Sequence, residues 1–264
     1  MTRPIVHIIE TPDLGDRSYL VASGATAVVV DPQRDIDRVL AVLDEQGWQV
    51  SHVVETHVHN DYVSGGLELS KQLGATYVVP RGHDYGFDAL ILGDGDEFQA
   101  GDMRWRVMHT PGHTPHHVSY AVSVDGDEEA VFTGGSLLFG SVGRPDLIGP
   151  EATEGLAHDQ WRSIRKIVEG VADTAAVFPT HGFGSFCSAT ATTGLASTVA
   201  EQAATNPAAQ LDEHEFVAEL LEGLDAFPAY YKHMGPANEA GAPAIDLSPA
   251  ELVDPVELRR RIEA

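Results

Sequence analysis

The chain has 264 residues, with 16 Lys and Arg against 40 Asp and Glu, a formal net charge of −24 at pH 7. So acidic a chain has no electrostatic footprint for DNA or RNA and is not drawn to an anionic membrane surface. Hydrophobic residues make up 43% of it and recur along its length, which excludes a disordered chain and suits one large α/β domain, with or without an appendage.

Short β-rich runs at 5–9, 18–22 and 27–30 are separated by Asp-Leu-Gly-Asp and Ser-Gly turns. A helix over 35–45 places Ile36, Val39, Leu40 and Leu43 on one face, and Gly47 sits where it would end. A strand at 50–55, a polar loop at 56–62 and a helix at 63–73 closed by Gly74 follow. Strands at 76–79, 104–109, 118–124 and 130–133 are punctuated by Gly-Asp-Gly and Asp-Gly-Asp turns. A long helix at 154–171, a strand at 175–178 and helices at 192–204 and 213–221 complete the pattern. Residues 235–243 are rich in Gly, Pro and Ala and read as a linker. Residues 248–263 begin a new helical pattern, too short to bury a core of its own. The single Cys, Cys187, excludes an internal disulfide framework and leads us to expect a reducing, cytoplasmic compartment. No apolar run approaches the ~18 residues of a membrane span.

The strongest chemical signal is Thr56-His57-Val58-His59-Asn60-Asp61-Tyr62, directly after a strand. Imidazole is the commonest metal ligand, and a nearby carboxylate can bind metal or orient a ligand. Two further turns, Thr110-Pro-Gly-His113-Thr114 and Thr180-His181-Gly182, also follow strands, so each can present its His on one rim of a sheet. The turn Phe132-Thr-Gly134-Gly135-Ser136 has the same placement but offers no ligand. His116 or His117 could approach the same rim. Asp146 after Arg144-Pro145 reads as an Arg–carboxylate pair bracing its loop.

This order of H-x-H-x-D, TPGHT, FTG and THG resembles the metallo-β-lactamase superfamily. The resemblance implies an α/β fold, an αββα sandwich with metal at the strand-end rim. Ser141-Val-Gly-Arg144-Pro-Asp146-Leu and His181-Gly-Phe-Gly-Ser-Phe-Cys187 are similar to the persulfide dioxygenase branch, related to glyoxalase II. In some members of that branch a rhodanese domain follows. Residues 1–234 are accordingly expected to form the sandwich, and 235–264 a linker and the start of a rhodanese-like domain.

The resemblance further implies oxidation of a low-molecular-weight thiol persulfide, the small-molecule partner, to sulfite and thiol at a mononuclear Fe(II). The family binds that iron with the first loop His, the TPGHT His and an Asp after FTG. His57 and His113 match; Gly135 stands where the Asp belongs, and Tyr62 replaces the last His of H-x-H-x-D-H. Two divalent ions ~3.5–4 Å apart need bridging negative charge, so a dinuclear zinc site has lost its bridge. Three outcomes stay open: iron or zinc on His57, His59 and His113; a metal on His57 and His113 completed by water or substrate; or a metal-free binding or regulatory relative. Asp61 and His181 are expected beside the metal ligands, and Arg144 and Tyr231 against the substrate's tail. Fe(II) is the expected cofactor, with zinc and thioester hydrolysis the alternative. A homodimer is compatible with this resemblance. Restoring a carboxylate at position 135 is expected to raise iron affinity.

Overall fold

Burial on both faces of the central strands decides the layers. The computed structural model describes residues 3–192, 194–244, 248 and 252–263. Strands β1 (Ile5–Thr11), β2 (Asp16–Ser23) and β3 (Thr26–Val30) lead to helix α1 (Asp37–Gln46). Then come β4 (Gln49–Val54), α2 (Gly66–Leu73), β5 (Thr76–Pro80) and β6 (Leu90–Leu92). These six strands form one sheet in sequence order. It is antiparallel through β3 and parallel from β3 to β6.

The second sheet takes β7 (Glu97–Ala100), β8 (Met103–His109), β9 (Val118–Val124) and β10 (Asp127–Gly134). The small hairpin β11 (Leu137–Leu138) and β12 (Ser141–Val142), and the long helix α3 (Pro150–Gly170), precede β13 (Ala176–Pro179). The strand order is β13-β10-β9-β8-β7, with β13 parallel to β10. Helices α4 (Val199–Thr205), α5 (Pro207–Gln210), α6 (Glu213–Glu222), α7 (Tyr231–Ala240) and α8 (Pro255–Glu263) follow.

Every residue of β2 is buried, as expected for a strand covered on both faces. Tyr19 and Val21 face the second sheet and meet Trp105, Tyr120 and Phe132 in the central core. Leu20, with Val29 and Val53, faces the other way onto Ile36 and Val39 of α1 and Leu69 of α2. On the far side Ala121, Val131 and Val177 pack on Ala157, Ile164 and Ile167 of α3. The result is the expected αββα sandwich, in which each fully buried large side chain contributes about 1.5–3 kcal/mol. Gly47 and Gly74 end α1 and α2 in the left-handed region, at φ 68° and 65°.

The helix read over 192–204 starts only at Val199. A capping box sets that start: Thr198 accepts from the Glu201 N–H while the Glu201 carboxylate accepts from the Thr198 N–H. The linker reading of 235–243 is corrected too, because 235–240 lie inside α7. Of the segment read as the start of another domain, residues 249–251 lie outside the described residues, and α8 has no buried residue. Among the described residues no helix is long and apolar enough to cross a membrane.

Candidate metal centre

The loops after β4, β8, β10 and β13 all open on one rim of the sandwich, and the buried imidazoles meet there. His57, His113 and His181 are each at most 1% exposed, and a ligand atom from each lies within 4.8 Å of the other two. The Nε2 atoms of His57 and His181 are 3.2 Å apart. Two nitrogens bound at 2.0–2.1 Å to one tetrahedral ion lie roughly 3.3 Å apart, so the spacing suits shared ligation.

The proton arrangement suits it as well. His113 donates from Nδ1 to the Arg144 carbonyl at 2.9 Å, and its Nε2 is buried with no partner. His181 donates from Nδ1 to Asp16 at 2.8 Å. Thr56 gives its hydroxyl proton to the Asp31 carboxylate at 2.7 Å and accepts from His57 Nδ1 at 2.9 Å. Each ring is thereby oriented through Nδ1 and keeps its Nε2 lone pair for a metal. Burial, then the neighbouring imidazoles, holds His57 and His113 well below the usual histidine range. Burial also lowers His181 against the opposing charge of Asp61. Neutral rings are the form a metal needs.

His59 does not join this trio. Its Nε2 sits 3.3 Å from Asp31 and 3.3 Å from Glu55, and 3.0 Å from the Tyr62 hydroxyl. Burial works against its protonation, but the charge of Asp31 and then Glu55 outweighs that and raises it to about 10. His59 Nε2 thus sits in a buried ion cluster, while its Nδ1 is buried with no partner; His59, Asp61 and His181 also bring ligand atoms within 4.8 Å of one another, beside the grouping of His57, His113 and His181. His181, expected as a neighbour of the ligands, belongs to both groupings. His117 stacks on His57 at 4.9 Å, but its Nε2 accepts from the Gly135 N–H at 3.0 Å and is not free.

A sequence profile of the Metallo-beta-lactamase superfamily matches residues 13–181. The chain belongs to the metallo-β-lactamase superfamily. It is similar to the hydroxyacylglutathione hydrolase of Methylococcus capsulatus, at 37% identity over 186 residues, 68% of this chain and 67% of that one. The hydroxyacylglutathione hydrolase of Nitrobacter winogradskyi is 35% identical over 161 residues, 60% of this chain and 58% of its own length. The chain thus spans about two thirds or less of the length of these relatives. Among solved structures, a metallo-beta-lactamase from Staphylococcus aureus superposes with a TM-score of 0.84 at 27% identity, covering 93% of this chain and 75% of that one. ETHE1 from Myxococcus xanthus gives 0.76 at 27%, covering 89% and 98%.

Within the metallo-β-lactamase frame, the two departures have visible structural partners. A Cβ on Gly135 would stand 2.2 Å from His113 Cδ2 and 2.8 Å from its Nε2. The His113 ring lies directly against the Gly135 backbone. Tyr62 is buried, with its hydroxyl on His59 and on the Asp31 carbonyl.

Asp61 lies 3.3 Å from His181 Nδ1 and beside Asp16. Burial raises both carboxyls, each to about 7, so the pair retains a proton near neutrality. Asp16 and Asp31 escaped the sequence reading because each looks like an ordinary turn acid at a strand end. Asp31 in fact receives the Thr56 N–H and hydroxyl, the Thr180 hydroxyl and His59. Its φ of 49° is left-handed and rare for a residue other than glycine.

Arg144 binds Asp146 through two nitrogens and donates to the carbonyls of Phe186 and Asp225. Its guanidinium braces the loop rather than standing free for a substrate carboxylate. A cleft of about 590 Å³ runs along the 182–195 loop beside it. Tyr231 is buried, with its hydroxyl 3.8 Å from Cys187 Sγ. Burial pushes that thiol well above its usual range, which makes it a poor nucleophile.

Proposed function

We propose that this chain is a mononuclear metal enzyme acting at the sulfur of a low-molecular-weight thiol derivative, and that its reaction is the oxidation of a thiol persulfide. One observation carries the reading: three buried imidazoles, each hydrogen-bonded through Nδ1, bring ligand atoms within 4.8 Å of one another. Bound by that trio, Fe(II) supplies redox chemistry for a dioxygen reaction, whereas zinc supplies a Lewis acid for the second reading, thioester hydrolysis. In the oxidation, persulfide, dioxygen and water become thiol and sulfurous acid; the outer sulfur is oxidised and dioxygen is reduced. The hydrolytic reading is favoured by the 37% identity to a hydroxyacylglutathione hydrolase.

The chain's own residues bind, orient and exclude water. Asp16 holds the His181 proton at Nδ1 and keeps Nε2 basic. The Arg144 carbonyl does the same for His113. The Asp16 and Asp61 carboxyls both lie against His181 Nδ1, at 2.8 and 3.3 Å.

The test is metal content after purification without added metal, followed by parallel assays of persulfide-dependent oxygen uptake and thioester cleavage. Near-stoichiometric iron with oxygen uptake is expected. Zinc with thioester cleavage alone selects the second reading. A chain that takes up neither metal on reconstitution overturns both.

A further inference from the structure

We propose that α7 is a hinged roof over the metal centre, and that Asn238 is the positioning residue that latches it onto the loop carrying His57. The inference rests on the metal-centre reading for what lies beneath the roof.

His57, His113, His181 and Asp61 are each at most 2% exposed, so no ligand reaches the Nε2 atoms without movement. What covers the His57 loop is α7. The Asn238 amide donates to the carbonyls of His59 and Tyr62, both at 2.9 Å. Its oxygen accepts from the Ser64 N–H at 2.8 Å. One side chain thus ties down residues 59–64, and only an amide offers two donors and an acceptor in that arrangement without charge. The helix rides directly on the loop: a Cβ on Gly235 would come 2.9 Å from Asn60 Oδ1. At its far end Glu239 pairs with His83 at 2.6 Å and accepts from the Gly86 N–H at 2.9 Å. At its near end Tyr231 covers Cys187.

The anchors are polar and the apolar grip is small. Of ten residues in α7 only Tyr231 and Gly235 are buried. Pro236 lies inside the helix and removes a backbone donor from it. Residues 224–228 before it form neither helix nor strand, and Gly241 after it has φ 82°. An element with little buried apolar surface, flanked by segments outside the helices and strands, opens well below the free energy of global unfolding. The roof therefore opens as a unit while the sandwich stays folded.

Cys187, the single thiol, is fully buried beneath Tyr231 and reports that opening. In the full chain, Asn238→Ala is expected to accelerate native-state alkylation of Cys187 by iodoacetamide on the order of tenfold to a hundredfold, the effect of losing two to three hydrogen bonds. The midpoint of global unfolding by tryptophan fluorescence should fall by the same free energy and no more. Release of Co(II) to a chelator should accelerate in parallel. Should Asn238→Ala fail to fold, the unaltered chain decides: its alkylation rate should depend on urea far more shallowly than global unfolding does. An unchanged alkylation rate in the variant, or a urea dependence equal to that of global unfolding, overturns the roof. The alkylation readout needs no metal, so a chain that binds none still tests it.

Discussion

Gly135 is the position where structure and expectation part most sharply. Contact between carbon atoms is comfortable near ~3.5 Å, so the 2.2 Å separation between a Cβ at 135 and His113 Cδ2 is short by about 1.3 Å. The ring cannot retreat freely, because its Nδ1 is held 2.9 Å from the Arg144 carbonyl. On the other side a Cβ at Gly143 would stand 2.7 Å from Nδ1, so the ring is flanked by two glycines. Gly135→Ala must therefore strain the turn or break that hydrogen bond. Overpacking at about 1–3 kcal/mol, or a buried unsatisfied group at about 1–3 kcal/mol, sets the loss at roughly 1–3 kcal/mol. For a chain of this size that is roughly 2–12 °C of melting temperature. Gly135→Asp should lose at least as much in metal-free protein and, by displacing His113, should weaken rather than strengthen metal binding. Calorimetry of metal-free protein and a Co(II) titration measure both quantities. An unchanged melting temperature and Co(II) affinity for Gly135→Ala would refute the packing of His113 against this turn.

Four further outcomes follow from the geometry. His181→Ala should abolish Co(II) binding with modest loss of stability, whereas His59→Ala should leave Asp31 and Glu55 unpaired and destabilise by about 3–5 kcal/mol; the reverse pattern restores His59 to the ligand set. Asp16→Asn replaces the anionic partner of His181 and should lower metal affinity about 10–100-fold by chelator competition, and undiminished affinity removes Asp16 from the centre. Folded Asp16 and Asp61 stand at about 7 against an ordinary 3.8. The stability they lend is complete below the unfolded value and drains as pH rises through the folded one, so Asp61→Asn should flatten the loss of metal-free stability between pH 4 and 7. Parallel pH profiles for the two proteins would contradict this. Thr198→Ala should cost about 1 kcal/mol through its cap, seen as roughly 2–4 °C in a thermal melt.

The sheets were legible because Val, Ile and aromatic runs end in turn residues, and because α1 shows its apolar face and a closing glycine. The loops carrying His57, His113 and His181 were legible because each motif follows a strand. Which imidazoles share a point was not, since that depends on rotamers. His57 and His59 are two residues apart, yet one turns to the trio and the other to Asp31 and Glu55. Asp31 belongs to the end of an apolar strand and gives no sign in sequence of receiving four donors. Asn238 lies in a stretch whose Gly, Pro and Ala content hides a helix. β6 and β7, of three and four residues, are too short to show a period.

The trio also has a consequence for the order in which the protein is made. His57 follows a strand of the first sheet, whereas His113 and His181 follow strands of the second. His181 follows β13, which pairs with β10 more than forty residues earlier in the chain. Closing such distant segments is slow relative to local helix formation. No fragment ending before β13 holds all three nitrogens. On the proposed reading, a metal ion would therefore meet its complete site only after nearly the whole domain has docked, and would select an assembled sandwich rather than nucleate one.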